Sequence, residues 1–162
     1  GLMIITRCTT GRIARRAVDW QVLIVIAASF GIASALQNSG AASTIAQWGI
    51  SLSQGNPLLA LTFVFVLTSI FSSIATNNAA AVIMFPIALS TSQSLGISLL
   101  PFAVVIMVAA SASFATPIGY QTNLMVFGAG GYHFKDYFYF GAPLTVIVGI
   151  VTITIVPWVW HL

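Results

Sequence analysis

Two short polar stretches hold the side chains best suited to gripping a solute: TNN at Thr76, Asn77 and Asn78, and TPIGYQTN from Thr116 to Asn123. Asparagine presents two amide donors and a carbonyl acceptor, and threonine a hydroxyl that serves both ways. Such groups hold an oxyanion through N–H and O–H, or a hard cation through oxygen. Pro117 lacks a donor and Gly119 permits unusual backbone angles, so the segment Thr116 to Asn123 is expected to be unwound.

Covalent chemistry has little to work with. Cys8 is the single cysteine, His133 and His161 stand apart, and Asp19 and Asp136 are the only carboxylates. No GxSxG, HExxH or CxxC pattern occurs. A paired-carboxylate enzyme would have to join residues from the edges of separate segments, so the sequence reads as a non-enzyme without a metal cluster of its own.

Both polar stretches interrupt apolar runs in a chain that is 59% hydrophobic, with Lys+Arg 5 and Asp+Glu 2 among 162 residues. An ordinary soluble domain has about a quarter of its positions charged. A buried soluble α/β core accounts for single apolar runs but not for the missing charged surface. The composition therefore predicts an all-α polytopic membrane protein. Irregular backbone at membrane depth is tolerated only where protein or a water-filled cavity satisfies it, which singles out the two interruptions as the candidate solute site.

The net charge of +3 is concentrated at Arg7, Arg12, Arg15 and Arg16. Residues 1–19 read as a cytoplasmic basic lead-in that sets orientation and touches anionic lipid. No aromatic interleaving of the kind used for RNA accompanies it, so nucleic acid is not an expected partner. The chain starts at Gly1 without a methionine or a signal peptide, as expected of an excised piece of a longer protein.

Residues 20–162 read as membrane domain. Trp20 to Gln37 is long enough to cross once, with Asp19 as its cap and Trp20 as an interfacial anchor. Ala41 to Ser53 reads as a shorter interfacial or tilted segment, and Leu58 to Ala75 as a deep apolar run. After TNN, Ala79 to Leu89 gives only eleven mainly apolar residues, about 16 Å of helix and half the hydrocarbon thickness. The economical geometry is a re-entrant hairpin with its tip inside the protein. A full crossing broken near one end, or simple capping of the next helix by Thr76 or Asn77, also fits.

Leu99 to Ala115 is expected to be a second half-length or full-length helix ending at the TPIGYQTN break, followed by the short apolar Leu124 to Phe127. Gly128 to Gly131 reads as a turn, and Tyr132 to Phe140 as a connector at headgroup level whose Lys135 snorkels or steers an anion. Gly141 to Trp160 is a scaffold helix with Pro143 near its start and Pro157 kinking or ending it. Discontinuous helices that meet near the midplane, amides toward an anion and carbonyls toward Na⁺, are the pattern of a secondary transporter.

TNNAAAVIMFPIA and TPIGYQTNLMVFGAGGYHFKDYFYFGAPL, in that order, resemble the carboxyl-terminal half of the divalent anion/sodium symporters, the solute carrier 13 family. The likeness also takes in Val18 to Gly31 and the final helix. It implies a second inverted repeat with a re-entrant hairpin and a broken transmembrane helix, forming half of a longer carrier. The family's Ser-Asn-Thr hairpin tip aligns with Thr76, Asn77 and Asn78, and its Thr-Pro-Pro-Asn element with Tyr120, Gln121, Thr122 and Asn123. Only the central Asn77 and the final Asn123 retain the family residue.

By resemblance, Thr76, Asn77 and Asn78 touch substrate or a sodium site, and Thr122 with Asn123 completes the carboxylate-binding wall. The same resemblance places Na⁺ on the carbonyls near Ala75, Ala115 and Pro117, together with Thr116, Asn77 and Asn123. It further implies Na⁺ as coupling ion, a small divalent anion such as a dicarboxylate or sulfate as cargo, and location in the cell inner (plasma) membrane. The amino-terminal half of the same carrier, membrane lipid and a second copy in a homodimer are the implied partners. A structural subunit of a membrane complex, with Asn77 and Asn123 as packing residues, is the alternative.

Overall fold

In the computed structural model the described residues are 10–16, 24, 27–28, 31–32, 34–36 and 38–160. All regular structure among them is helical: α1 Gly11–Arg16, α2 Ala41–Ser53, α3 Pro57–Ile74, α4 Asn77–Leu95, α5 Leu99–Ser111, α6 Gln121–Gly130 and α7 Phe134–Trp160. Of the expected crossing Trp20 to Gln37 only residues 24, 27–28, 31–32 and 34–36 are described, all of them helical, and most of the basic lead-in lies outside the described residues. Within that lead-in, Arg12 is exposed on the short α1.

Local sequence explains most helix starts. Asn56 accepts from Leu58 N at 2.9 Å and Pro57 opens α3, where a missing N–H costs nothing. Thr76 accepts from Ala79 N at 3.3 Å, and Ser98 from Leu100 N at 3.3 Å. α4 ends at Gly96 and α6 at Gly131, each left-handed with φ of 68° and 64°.

The core is built from narrow stripes. α3 buries Ala60, Leu61, Val64, Phe65 and Thr68, and α5 buries Phe102, Val105, Ile106 and Ala109. Both stripes follow helical periodicity and meet each other and α4. α2 lies against α3 and α4, burying Ala42, Ala46, Gly49 and Ser53, so this segment is part of the bundle. α7 packs across α3 and α5.

Among the described residues two helices, α3 and α7, are long and apolar enough to cross a membrane. α7 buries only Gly141, Gly149, Thr152, Ile153 and Val156, leaving Val146, Ile147, Ile150, Ile155 and Trp158 exposed. So large an apolar face is stable against lipid or further protein, not water.

Several boundaries differ from the sequence reading. The apolar arm after TNN is not eleven residues: α4 has 19, about 28 Å, continuing through Ser90–Ser94 with Pro86 buried inside it. α5 stops at Ser111 instead of Ala115, and the break covers residues 112–120, so Thr122 and Asn123 sit in the first turn of α6. Gly128 to Gly130 are helical, leaving only Gly131 as the turn. The expected connector is helical from Phe134, where Asp136 in the first turn accepts from His133 N at 2.8 Å. That cap extends α7 to 27 residues, and Pro157 does not end it.

Candidate functional site

The two polar breaks meet. The turn between α3 and α4 is only Ala75 and Thr76, and it lies beside the irregular segment 112–120 that separates α5 from α6. Thr116 ties them directly, its Oγ1 donating to Ser73 O at 2.7 Å while accepting from Gly119 N at 3.3 Å.

Asn77, the first residue of α4, forms the centre of the junction. One terminal atom of its amide has Ala110 O and Gly119 O each at 3.0 Å, Ser72 Oγ at 2.9 Å and Ser113 Oγ at 3.3 Å. Carbonyl oxygens only accept, so the atom facing them is Nδ2 and its two hydrogens serve α5 and the break. Ser72 Oγ in turn donates to Ala110 O. Ser72 and Ser113 are both buried, so these bonds are shielded from water.

Close backbone approach makes the junction possible. A Cβ on Gly119 would stand 2.7 Å from Ser72 O and 3.0 Å from Ser113 Oγ. On the other side of the break, a Cβ on Gly141 of α7 would strike the Phe114 carbonyl and lie 2.7 Å from Ala115 N. Thr145 of α7 donates to Ala112 O at 3.0 Å. The irregular segment is thus held between α3 and α7 by glycine on both faces.

α6 is fastened to this unit through Asn123, whose Nδ2 donates to Thr116 O at 3.3 Å. Tyr137 of α7 donates to Asn123 O at 3.0 Å. Tyr120, at the start of α6, makes no side-chain cap, which leaves first-turn amides available to another acceptor. α4 and α6 therefore both begin at the junction, and helix starts carry partial positive charge.

The candidate residues divide by environment. Thr76, Asn78 and Thr122 are exposed, Ala75, Asn77, Ala115, Thr116 and Asn123 are half-buried, and Pro117 is buried. Among the described residues no hydrogen bond takes the carbonyls of Ala75, Ala115 or Pro117. Carbonyl, hydroxyl and amide oxygens are the donor set that suits a hard cation such as Na⁺.

Two cavities border the junction. One of about 430 Å³ has Asn123, Tyr137 and Asp136 on its wall, and another of about 660 Å³ between α3 and α7 reaches Ser73, Ala115 and Thr116. Asp136, at the α7 end of the first cavity, disfavours an anion placed directly beside it. His133 Nδ1 lies 3.9 Å from Asp136 Oδ2 on an exposed surface, a contact of little energetic weight.

Sequence reading missed Ser72, Ser113, Gly141 and Thr145. Ser72 and Ser113 sit in runs of small residues that look like packing material. Nothing in their spacing shows that they face one amide.

Known proteins supply the remaining evidence. The chain is 42% identical over 147 residues to a probable sodium/sulfate cotransporter 3 of Chlamydomonas reinhardtii, covering 90% of this chain and 16% of that protein. It is 40% identical over 152 residues to sodium/sulfate cotransporter 1 of the same alga, covering 93% and 17%. An uncharacterized transporter of Synechocystis is 43% identical over 154 residues, covering 93% and 25%. The chain thus spans between a sixth and a quarter of the length of these relatives. The profile of the citrate transporter family matches residues 1–161, and the chain belongs to that family.

Proposed function

We propose that this chain belongs to the carboxyl-terminal half of a sodium-coupled carrier that moves a small divalent anion, a dicarboxylate or sulfate, across the cell inner (plasma) membrane. Membership of the citrate transporter family and kinship with sodium/sulfate cotransporters support anion cargo and sodium coupling. The observation that carries the reading is the convergence of two helix starts, α4 and α6, on one junction bridged by Asn77 and Thr116. Two positive helix ends with amide and hydroxyl side chains beside them attract and orient an oxyanion.

In this reading α3 and α4 form the re-entrant hairpin of a second inverted repeat, and α5 and α6 are the two parts of a broken transmembrane helix. Thr76, Asn77, Asn78, Thr122 and Asn123 line the substrate site. Na⁺ is held by the carbonyls of Ala75, Ala115 and Pro117 with Thr116, Asn77 and Asn123. The cation lowers the cost of placing a dianion in a low-dielectric site. Hairpin and broken helix then move as one body against a scaffold, without covalent chemistry. The amino-terminal half of the carrier completes the site, and a second copy forms a homodimer.

A panel of radiolabelled oxyanions offered to proteoliposomes containing the full-length protein tests this. Saturable uptake of a divalent anion driven by an inward Na⁺ gradient is the expected result. Absence of flux for every oxyanion under Na⁺ and proton gradients would overturn it.

A further inference from the structure

The cavity of about 430 Å³ between α6, the break and α7 is walled by Phe114, Tyr132, Tyr137 and Phe140, with Asp136 as its charged group. Its geometry points to a binding site for an organic ammonium ion, held by aromatic rings and one carboxylate. Asp136 is one of only two carboxylates in the chain. Its Oδ2 accepts from His133 N at 2.8 Å, and Oδ1 has no hydrogen-bond partner among the described residues. His133 Nδ1 lies 3.9 Å away on a side chain that is 86% exposed, and no lysine or arginine among the described residues pairs with the carboxylate. Asp136 is therefore free to face a cation in the cavity.

Local sequence builds the walls. After the left-handed turn at Gly131, the Tyr132 ring folds back onto Gly130, where a Cβ would stand 2.6 Å from Tyr132 Cδ2. Tyr132 then meets Tyr137 edge to face, with centroids 6.1 Å and planes 73° apart, so the two rings form adjoining sides of a box. Phe127 braces Tyr137 at 6.0 Å, and the Tyr137 hydroxyl is committed to Asn123 O at 3.0 Å, which fixes that ring. The close approach of Gly141 to the Phe114 backbone brings Phe114 to the same cavity. The rings are thus placed before any ligand arrives.

A carboxylate beside the cavity favours a positive occupant. A hard ion such as Na⁺ needs several oxygen ligands, whereas this wall is dominated by aromatic carbon. Rings with a single counter-charge suit a large, weakly hydrated ammonium ion. Depth fits the same chemistry. Gly141 to Trp160 already supplies about 30 Å of helix, enough for the hydrocarbon, so Tyr132 to Phe140 stand at headgroup level. The ammonium group comes from a choline-type lipid headgroup or from a free amine in the adjoining water.

The test uses the full-length protein in nanodiscs of phosphatidylglycerol, which carries no amine, with radiolabelled tetramethylammonium as the probe. Saturable binding is expected, weakened about tenfold by Asp136→Asn and about three- to tenfold by Tyr132→Leu, and retained in Tyr132→Phe, which keeps the ring. Asp136→Asn keeps an acceptor for His133 N, so the start of α7 persists, and an unchanged melting midpoint checks this. Accumulation of cations at the anionic lipid surface is common to all variants and drops out of the comparison. The same titration in phosphatidylcholine discs assigns the source: a raised apparent Kd means that choline headgroups fill the site, and an unchanged one that the ligand is a free amine, the site standing in both cases. Absence of saturable binding in phosphatidylglycerol, or binding that either Asp136→Asn or Tyr132→Leu leaves unchanged, would overturn the assignment. No anion flux enters the readout, so the ammonium site and the carrier reading fail separately.

Discussion

Thr116 Oγ1 lies 2.7 Å from Ser73 O, joining residues 43 apart in sequence across the two helix breaks. The Ser73 carbonyl belongs to the last turn of α3, where no later helical N–H reaches it. Thr116→Val keeps the shape and removes the donor, leaving that carbonyl unpaired at a cost of about 1–3 kcal/mol. Thermal unfolding of the full-length protein in detergent should show the loss, and Thr116→Ser should restore it. An unchanged midpoint in Thr116→Val would mean that the bond is not made in the whole carrier.

Gly119 and Gly128 offer a matched pair. Alanine at Gly119 puts a methyl 2.7 Å from a backbone carbonyl, whereas at Gly128, inside α6, nothing lies within 4 Å. Gly119→Ala should push the break off α3 and reduce anion uptake severely, with overpacking of about 1–3 kcal/mol. Gly128→Ala should be neutral or raise stability by up to about 1 kcal/mol. Equal behaviour of the two variants would contradict the close approach.

Asn123 reaches the junction from α6, so Asn123→Ala in the complete carrier should abolish saturable anion uptake while surface level persists. Tyr137→Phe loosens the same helix by one hydrogen bond, about 1 kcal/mol, and should leave uptake measurable. Intact uptake kinetics in Asn123→Ala would remove it from the site.

Replacement of external Na⁺ by choline should stop uptake, because carbonyl and amide oxygens hold a small hard cation and not a quaternary ammonium ion. Flux that persists in choline and follows an imposed proton gradient would assign a different coupling ion.

Helix caps lie both at the junction, on Thr76, and away from it, on Asn56. Thr76→Val removes the bond to Ala79 N and should cost about 1 kcal/mol of stability, while Thr76→Ser keeps the cap. Asn56→Ala, at the start of α3 and far along the helix from the junction, should cost a similar amount without altering substrate affinity.

By itself the sequence determined the helical, membrane-suited character of the chain, the two places where helices break, and the cap at Thr76. These follow from local chemistry: scarce charge, apolar run length, and Asn, Thr, Pro and Gly at fixed offsets. Only the tertiary structure decided where the second break begins. Ala112 and Ser113 are competent in a helix, yet Ala112 O accepts from Thr145 and Ser113 Oγ faces Asn77, so contacts from distant helices take groups that would have continued α5. The same reason hid Ser72 and Gly141, whose roles lie in what approaches them and not in their own propensities. Asn77 was legible as a polar residue at a break, but the direction of its amide depends on carbonyls 33 and 42 residues further along the chain.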